Sequence, residues 1–190
     1  DEGEDYHCVT DSQKADEEIA ELWNDMLSYK PFVGIDVKYH DGRVSVVSLA
    51  SMHCTLILDA LALKDAMHQL LQPLFAHIGA VKVFHGVVDH VSSLAASYDI
   101  EVKDFIFNTT DLAMYYGACE DGRCPSLHTL CANYLEYELE KTSPQANWGH
   151  RPLSAHMIQC VATEVSALVP LQHAMVTEWE SFWNSLCLQK

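Results

Sequence analysis

Val83-Phe84-His85-Gly86, running into Val87-Val88-Asp89-His90, constrains this chain more than any other stretch. The apolar run is too short for a helix and ends at glycine, the residue best able to turn a chain sharply. Helical spacing then starts at Asp89 and continues to Tyr98. A short buried strand that passes through a glycine into a helix belongs inside a sheet covered by helices. The rest of the chain must supply both.

It does so in a regular order. Asp16 to Tyr29 has amphipathic helical spacing, with Ile19, Leu22, Trp23, Met26 and Leu27 on one face. Pro31 ends that helix, and Phe32 to Val37 reads as a buried strand. Asp41-Gly42 is a hairpin turn signal, leading to a second strand from Arg43 to Leu49 and a third near Cys54 to Leu58. Ala62 to Ile78 is helical in spacing, Val81 to Phe84 is a strand, and a fifth strand is expected near Ile100 to Phe107. From Thr109 the pattern is helical almost to the end, broken at Gly117–Pro125 and Thr142–Pro152. Hairpin-linked strands, then alternating helix and strand, then helices predict an α/β fold: one mixed β-sheet flanked by helices. The acidic opening Asp1-Glu2-Gly3-Glu4-Asp5 makes residues 1–14 an expected tail, and residues 15–190 a single domain cut from a longer protein.

A chain of 190 residues can bury a core without staples. No apolar run is as long as a membrane span, and the opening is unlike a signal peptide. Seven cysteines, an odd number in a domain of ordinary size, point to free thiols and a reducing, intracellular setting. The net charge is −16, with only 11 lysines and arginines. Proteins that grip phosphates cluster such residues, whereas Arg43, Lys82, Arg123, Lys141 and Arg151 form no run. Tight nucleic-acid binding by this domain alone is disfavoured; a local basic groove on an acidic protein is the alternative, and any RNA contact is expected to be weak.

Four local motifs in this order of elements resemble the ribonuclease D-like 3′→5′ exonucleases, the DEDD group with a tyrosine in its last motif. Within that group the likeness is greatest to the exonuclease subunit of the nuclear exosome. Lys82 to Gly86 with Leu94 is similar to the second motif, and Phe107-Asn108-Thr109 to the family's Phe-Asp-Thr. Ser126-Leu127, Tyr134, Lys141, Asn147-Trp148 and Arg151-Pro152-Leu153 are similar to the connecting region. The resemblance covers most of the chain, from Phe32 to Leu171, and implies a ribonuclease H-like sheet. It also implies four carboxylates around two Mg²⁺ or Mn²⁺ ions, which activate a water for in-line attack on phosphate.

The site positions depart from that pattern. Where the family has Asp-x-Glu on a strand, this chain has Asp36-Val37-Lys38, with Asp36 and Lys38 on one face. An ammonium replacing a carboxylate changes the charge by about two units where cations should sit. The second-motif aspartate is His90, a poor Mg²⁺ ligand. In the last motif, tyrosine and aspartate four apart have become Cys160 and Glu164. Asp36, Lys38, His90, Cys160 and Glu164 therefore read as a degenerate site, with no active catalytic residue and no bound metal expected. Lys38 is expected to stand in for the metal as counter-charge to Asp36 and Glu164, since facing carboxylates without a cation repel each other.

The function expected is that of a pseudo-exonuclease: a non-catalytic scaffold or partner in an RNA-processing or degradation complex such as the exosome. Its partners would be protein subunits, an active related exonuclease among them, in the nucleus or the cytoplasm. Two alternatives come from different classes. One is a weakened exoribonuclease using Asp36, His90 and Glu164 around one Mn²⁺; the other is an RNA-binding module that does not cut. Cys119, Cys124, His128 and Cys131 fit no usual zinc spacing and read as free side chains. Trp179, Phe182, Trp183 and Leu186 form an aromatic stripe suited to the core or to docking.

Overall fold

Val33, Ile35 and Val37 alternate with Gly34, Asp36 and Lys38 along strand β2 (Phe32–His40), and this alternation sets the layers of the domain. The computed structural model describes residues 6–115, 123–140 and 146–187, with side chains described as far as 181. β2 pairs antiparallel with β3 (Arg43–Ala50), which pairs antiparallel with β4 (Thr55–Asp59). On its other edge β2 runs parallel to β5 (Val81–Phe84), and β5 runs parallel to β6 (Ile106–Asn108). A two-residue strand, β1 (Cys8–Val9), lies parallel to β4 and completes the order β1-β4-β3-β2-β5-β6. The sheet is mixed and flanked by helices, as the order of elements predicts.

One face carries the main core. Ile19, Leu22 and Met26 of α1 (Ser12–Ser28), Leu71, Leu74 and Phe75 of α2 (Met67–Phe75), and Leu94 of α3 (Val87–Tyr98) pack on Val33, Ile35 and Val37. Each such side chain taken fully out of water contributes roughly 1.5–3 kcal/mol. The opposite face is covered by α6 (Ala155–Cys187), with Val165 and Leu168 against Ala50 and Val83. The shorter helices α4 (Thr109–Tyr115) and α5 (Leu127–Tyr134) pack on α6 through Ala113, Leu130 and Cys131.

Gly34 makes the close approach of α6 possible. A Cβ there would stand 2.8 Å from the Val165 carbonyl oxygen and 2.9 Å from Leu168 Cβ. Gly34→Val should therefore push α6 off β2 and lower stability by about 1–3 kcal/mol, the usual range for overpacking. Thermal melting followed by circular dichroism checks it, and an unchanged melt would refute it.

Three expectations are corrected. The folded domain does not begin at residue 15: Cys8–Val9 is already in the sheet, Val9 is buried, and Asp11 caps α1 by accepting from the Lys14 backbone N–H at 2.9 Å. The acidic residues drew the boundary too late because the capping Asp11 reads as more tail. The strand expected over 100–107 is only Ile106–Asn108, since Asp104 and Phe105 adopt φ of 48° and 44°, which breaks an extended run. The helix expected from Ala62 starts at Met67, because Asp59 Oδ1 accepts from the Leu61 and Ala62 N–H groups and holds a turn there.

Candidate functional site

Asp36 and Lys38, two residues apart on β2, both face α6, where Glu164 is buried. Lys38 Nζ lies 2.9 Å from Asp36 Oδ2 and 2.6 Å from Glu164 Oε2. The ammonium thus stands between two carboxylates that lie 128 residues apart in the chain, at hydrogen-bond distance of each. Trp148 covers it, with Nζ 5.8 Å from the ring centroid, within range of a cation–π contact. Burial alone would disfavour the charged lysine, but Asp36 and then Glu164 outweigh it and hold Lys38 well above the usual ammonium range. Burial likewise pushes the Asp36 carboxyl up, yet Lys38 and His90 override it and the net shift is downward. Asp36 and Lys38 stay ionised at neutral pH, and the ammonium ties both Asp36 and Glu164 into one buried network.

The strand–glycine–helix turn brings His90 to the same place. Gly86 adopts φ 78°, ψ 55°, the left-handed conformation glycine allows at no Cβ penalty, and its N–H donates to Asn108 Oδ1 at 3.0 Å. Thr109 Oγ1 donates to the Phe84 carbonyl at 3.3 Å and lies 2.9 Å from His85 Nδ1. Phe107-Asn108-Thr109 thus works as a brace for this turn. His90 Nε2 comes within 4.0 Å of Asp36 Oδ1, while its ring packs 6.0 Å from both Tyr39 and Phe84. Burial lowers its pKa; Asp36 opposes that and Lys38 adds to it. His85 is pushed down to about 4, first by burial, with His90 and His128 adding against Asp36. Both imidazoles are neutral at pH 7.

Cys160 sits one turn before Glu164 on α6, fully buried, and burial raises its thiol pKa, with Glu164 and Glu140 reinforcing the shift. It offers no phenol to orient a water. His128, read from the sequence only as part of an unlikely cysteine cluster, instead points at the site: its Nε2 lies 3.8 Å from Glu164 Oε1. Of that cluster, Cys131 is buried in the core and Cys119 lies outside the described residues. In the aromatic stripe, Trp179 packs edge-on against Tyr115 at 4.9 Å; the side chains of Phe182, Trp183 and Leu186 lie outside the described residues. No local signal marks His128, because what places it is the packing of α5 on α6.

Mg²⁺ needs several oxygen ligands in near-octahedral sets at about 2.0–2.1 Å. Here a fixed ammonium lies between Asp36 and Glu164, and the second-motif position presents a neutral imidazole. The residues present do not fit a pair of such ions. Among the described residues no helix is long and apolar enough to cross a membrane.

The 3′–5′ exonuclease family model matches residues 6–180. Protein RRP6-like 3 of Arabidopsis thaliana is 25% identical over 181 residues, covering 92% of this chain and 19% of that protein. Exosome complex exonuclease RRP6 of Saccharomyces cerevisiae is 26% identical over 145 residues, covering 74% of this chain and 19% of its own length. The chain therefore spans about a fifth of these relatives. The crystal structure of Escherichia coli RNase D, an exoribonuclease involved in structured RNA processing, superposes with a TM-score of 0.79 at 16% identity, over 93% of this chain and 45% of that one.

Proposed function

This chain belongs to the 3′–5′ exonuclease family, and within it we propose a domain that has lost catalysis and serves as a scaffold or partner subunit in an RNA-processing complex. The observation that carries this reading is Lys38 Nζ at 2.9 Å from Asp36 and 2.6 Å from Glu164. A cation delivered by the chain itself satisfies the two acids that would otherwise attract divalent ions. Mg²⁺ and Mn²⁺ then bind weakly or not at all at these carboxylates. The loss of the tyrosine at Cys160 and of the aspartate at His90 supports the same conclusion. A net charge of −16 suits protein docking better than a phosphate-binding groove. The kind of complex is inferred from the relative whose name places it in the exosome, and with it nuclear placement; an active related exonuclease is the partner this favours.

The test is incubation of the purified protein with 5′-labelled single-stranded RNA and either Mg²⁺ or Mn²⁺, alongside thermal melts with and without each ion. The expected result is intact RNA and a melting temperature that neither ion moves, since a ligand at a hundred times its Kd would add about 2.7 kcal/mol. Shortening from the 3′ end that disappears in Asp36→Ala would overturn the proposal.

A further inference from the structure

His156 and Cys160 lie one helical turn apart at the start of α6, and Glu140 approaches them from the loop after α5. The possible ligand atoms of these three residues all lie within 4.8 Å of one another. His156 Nδ1 is 3.8 Å from Cys160 Sγ and 3.7 Å from Glu140 Oε2. A tetrahedral ion bound at about 2.0–2.3 Å holds its ligands about 3.3–3.8 Å apart, so one imidazole nitrogen already stands at the right separation from both partners. Among the described residues this is the one group of His, Cys and carboxylate side chains so placed.

We propose that Glu140, His156 and Cys160 form a three-ligand site for a zinc-class divalent ion, with the fourth position open to water. The donor set decides the metal. A sulfur and an imidazole with a single carboxylate favour a borderline-soft ion such as Zn²⁺ over Mg²⁺ or Ca²⁺. Glu140 and His156 are exposed, which gives the ion a path from solvent, whereas Cys160 is buried and closes the site from below. His128 Nε2 approaches the Glu140 carbonyl oxygen at 3.3 Å and anchors the backbone that presents this carboxylate. Binding breaks the S–H bond, forms a metal–thiolate bond and sends the proton to solvent. The site uses neither Asp36 nor Glu164, so it stands whether or not the exonuclease chemistry has been lost.

The experiment is titration of the chelator-treated full chain with Co²⁺, followed by displacement with Zn²⁺. One equivalent of Co²⁺ should give a thiolate-to-metal charge-transfer band and intense visible bands of a tetrahedral ion, both removed by Zn²⁺. Cys160→Ser should abolish the charge-transfer band, and His156→Ala should weaken affinity by roughly a hundredfold or more, at least what losing an outer-shell partner costs. Cys54→Ser, at a half-buried thiol elsewhere in the fold, should change neither. Should Cys160→Ser fail to fold, the exposed His156→Ala and Glu140→Gln decide the matter. No thiolate band in the parent protein, or binding undiminished in His156→Ala and Glu140→Gln, would overturn the proposal.

Discussion

Replacing Lys38 by methionine should destabilise the domain by about 3–5 kcal/mol at neutral pH, the usual consequence of removing one partner from a buried ion pair. Methionine keeps most of the stem volume, so the loss reports charge rather than packing. Two carboxylates would then face each other across the gap between β2 and α6 without a counter-ion. For a domain of this size the melting temperature should fall on the order of 10 °C. Lys38→Glu, which restores the family residue, should be worse still, because it sets three acids together.

The pH dependence has a definite sign. In the native protein the depressed Asp36 pKa contributes stability that is present above the unfolded value and is lost as pH falls through the folded one. The raised Lys38 pKa contributes stability that is present below the unfolded value and is lost as pH rises through the folded one. The network is therefore fully effective across the neutral range. In Lys38→Met at least one carboxyl must rise in pKa, so the deficit should shrink as pH falls through that raised value, starting above the ordinary carboxylate value of about 4. Urea denaturation at pH 7 and at pH 4 measures both values. A deficit under about 1 kcal/mol at pH 7, or one that grows on acidification, would show that Lys38 does not hold the site together.

Arg151→Met should cost a comparable amount, about 3–5 kcal/mol, for a related reason. Asp59 is buried at the end of β4, and Arg151 grips it bidentately, through Nε to Oδ2 and through Nη2 to Oδ1 at 2.9 Å. The same guanidinium donates to the Trp148 carbonyl at 2.7 Å, the His150 carbonyl at 2.8 Å and the Ser45 carbonyl at 2.9 Å. It therefore ties the segment 146–153 to β3 and β4, and with it the Trp148 ring over Lys38. Arg151→Lys should recover only part of the loss, since an ammonium keeps the charge but not the planar fork. Faster amide exchange in 146–153 should accompany the drop in stability. If Arg151→Met unfolds at the same urea concentration as the parent, the segment is held by something else.

Much of this is legible in the sequence alone. The strand–glycine–helix turn, the Asp41-Gly42 hairpin and the period-two alternation of β2 are local, so they followed from residue type and spacing. The alternation also put Asp36 and Lys38 on one face, and electrostatics then required a cation beside the acids. The boundaries failed where short side chains rather than periodicity decide: at Asp11, at Asp59, and at the left-handed pair Asp104 and Phe105. Arg151, part of a family resemblance in the sequence, proved to be a clamp on Asp59, 92 residues away. His128 beside Glu164, and Glu140 beside His156, could come only from the docking of α5 and its following loop on α6. The sequence determined which side chains share a strand face or a helical turn, because backbone geometry repeats every two or 3.6 residues. The tertiary structure alone decided which of those faces meet, because that depends on how closely whole elements pack, as where Gly34 lets α6 settle onto β2.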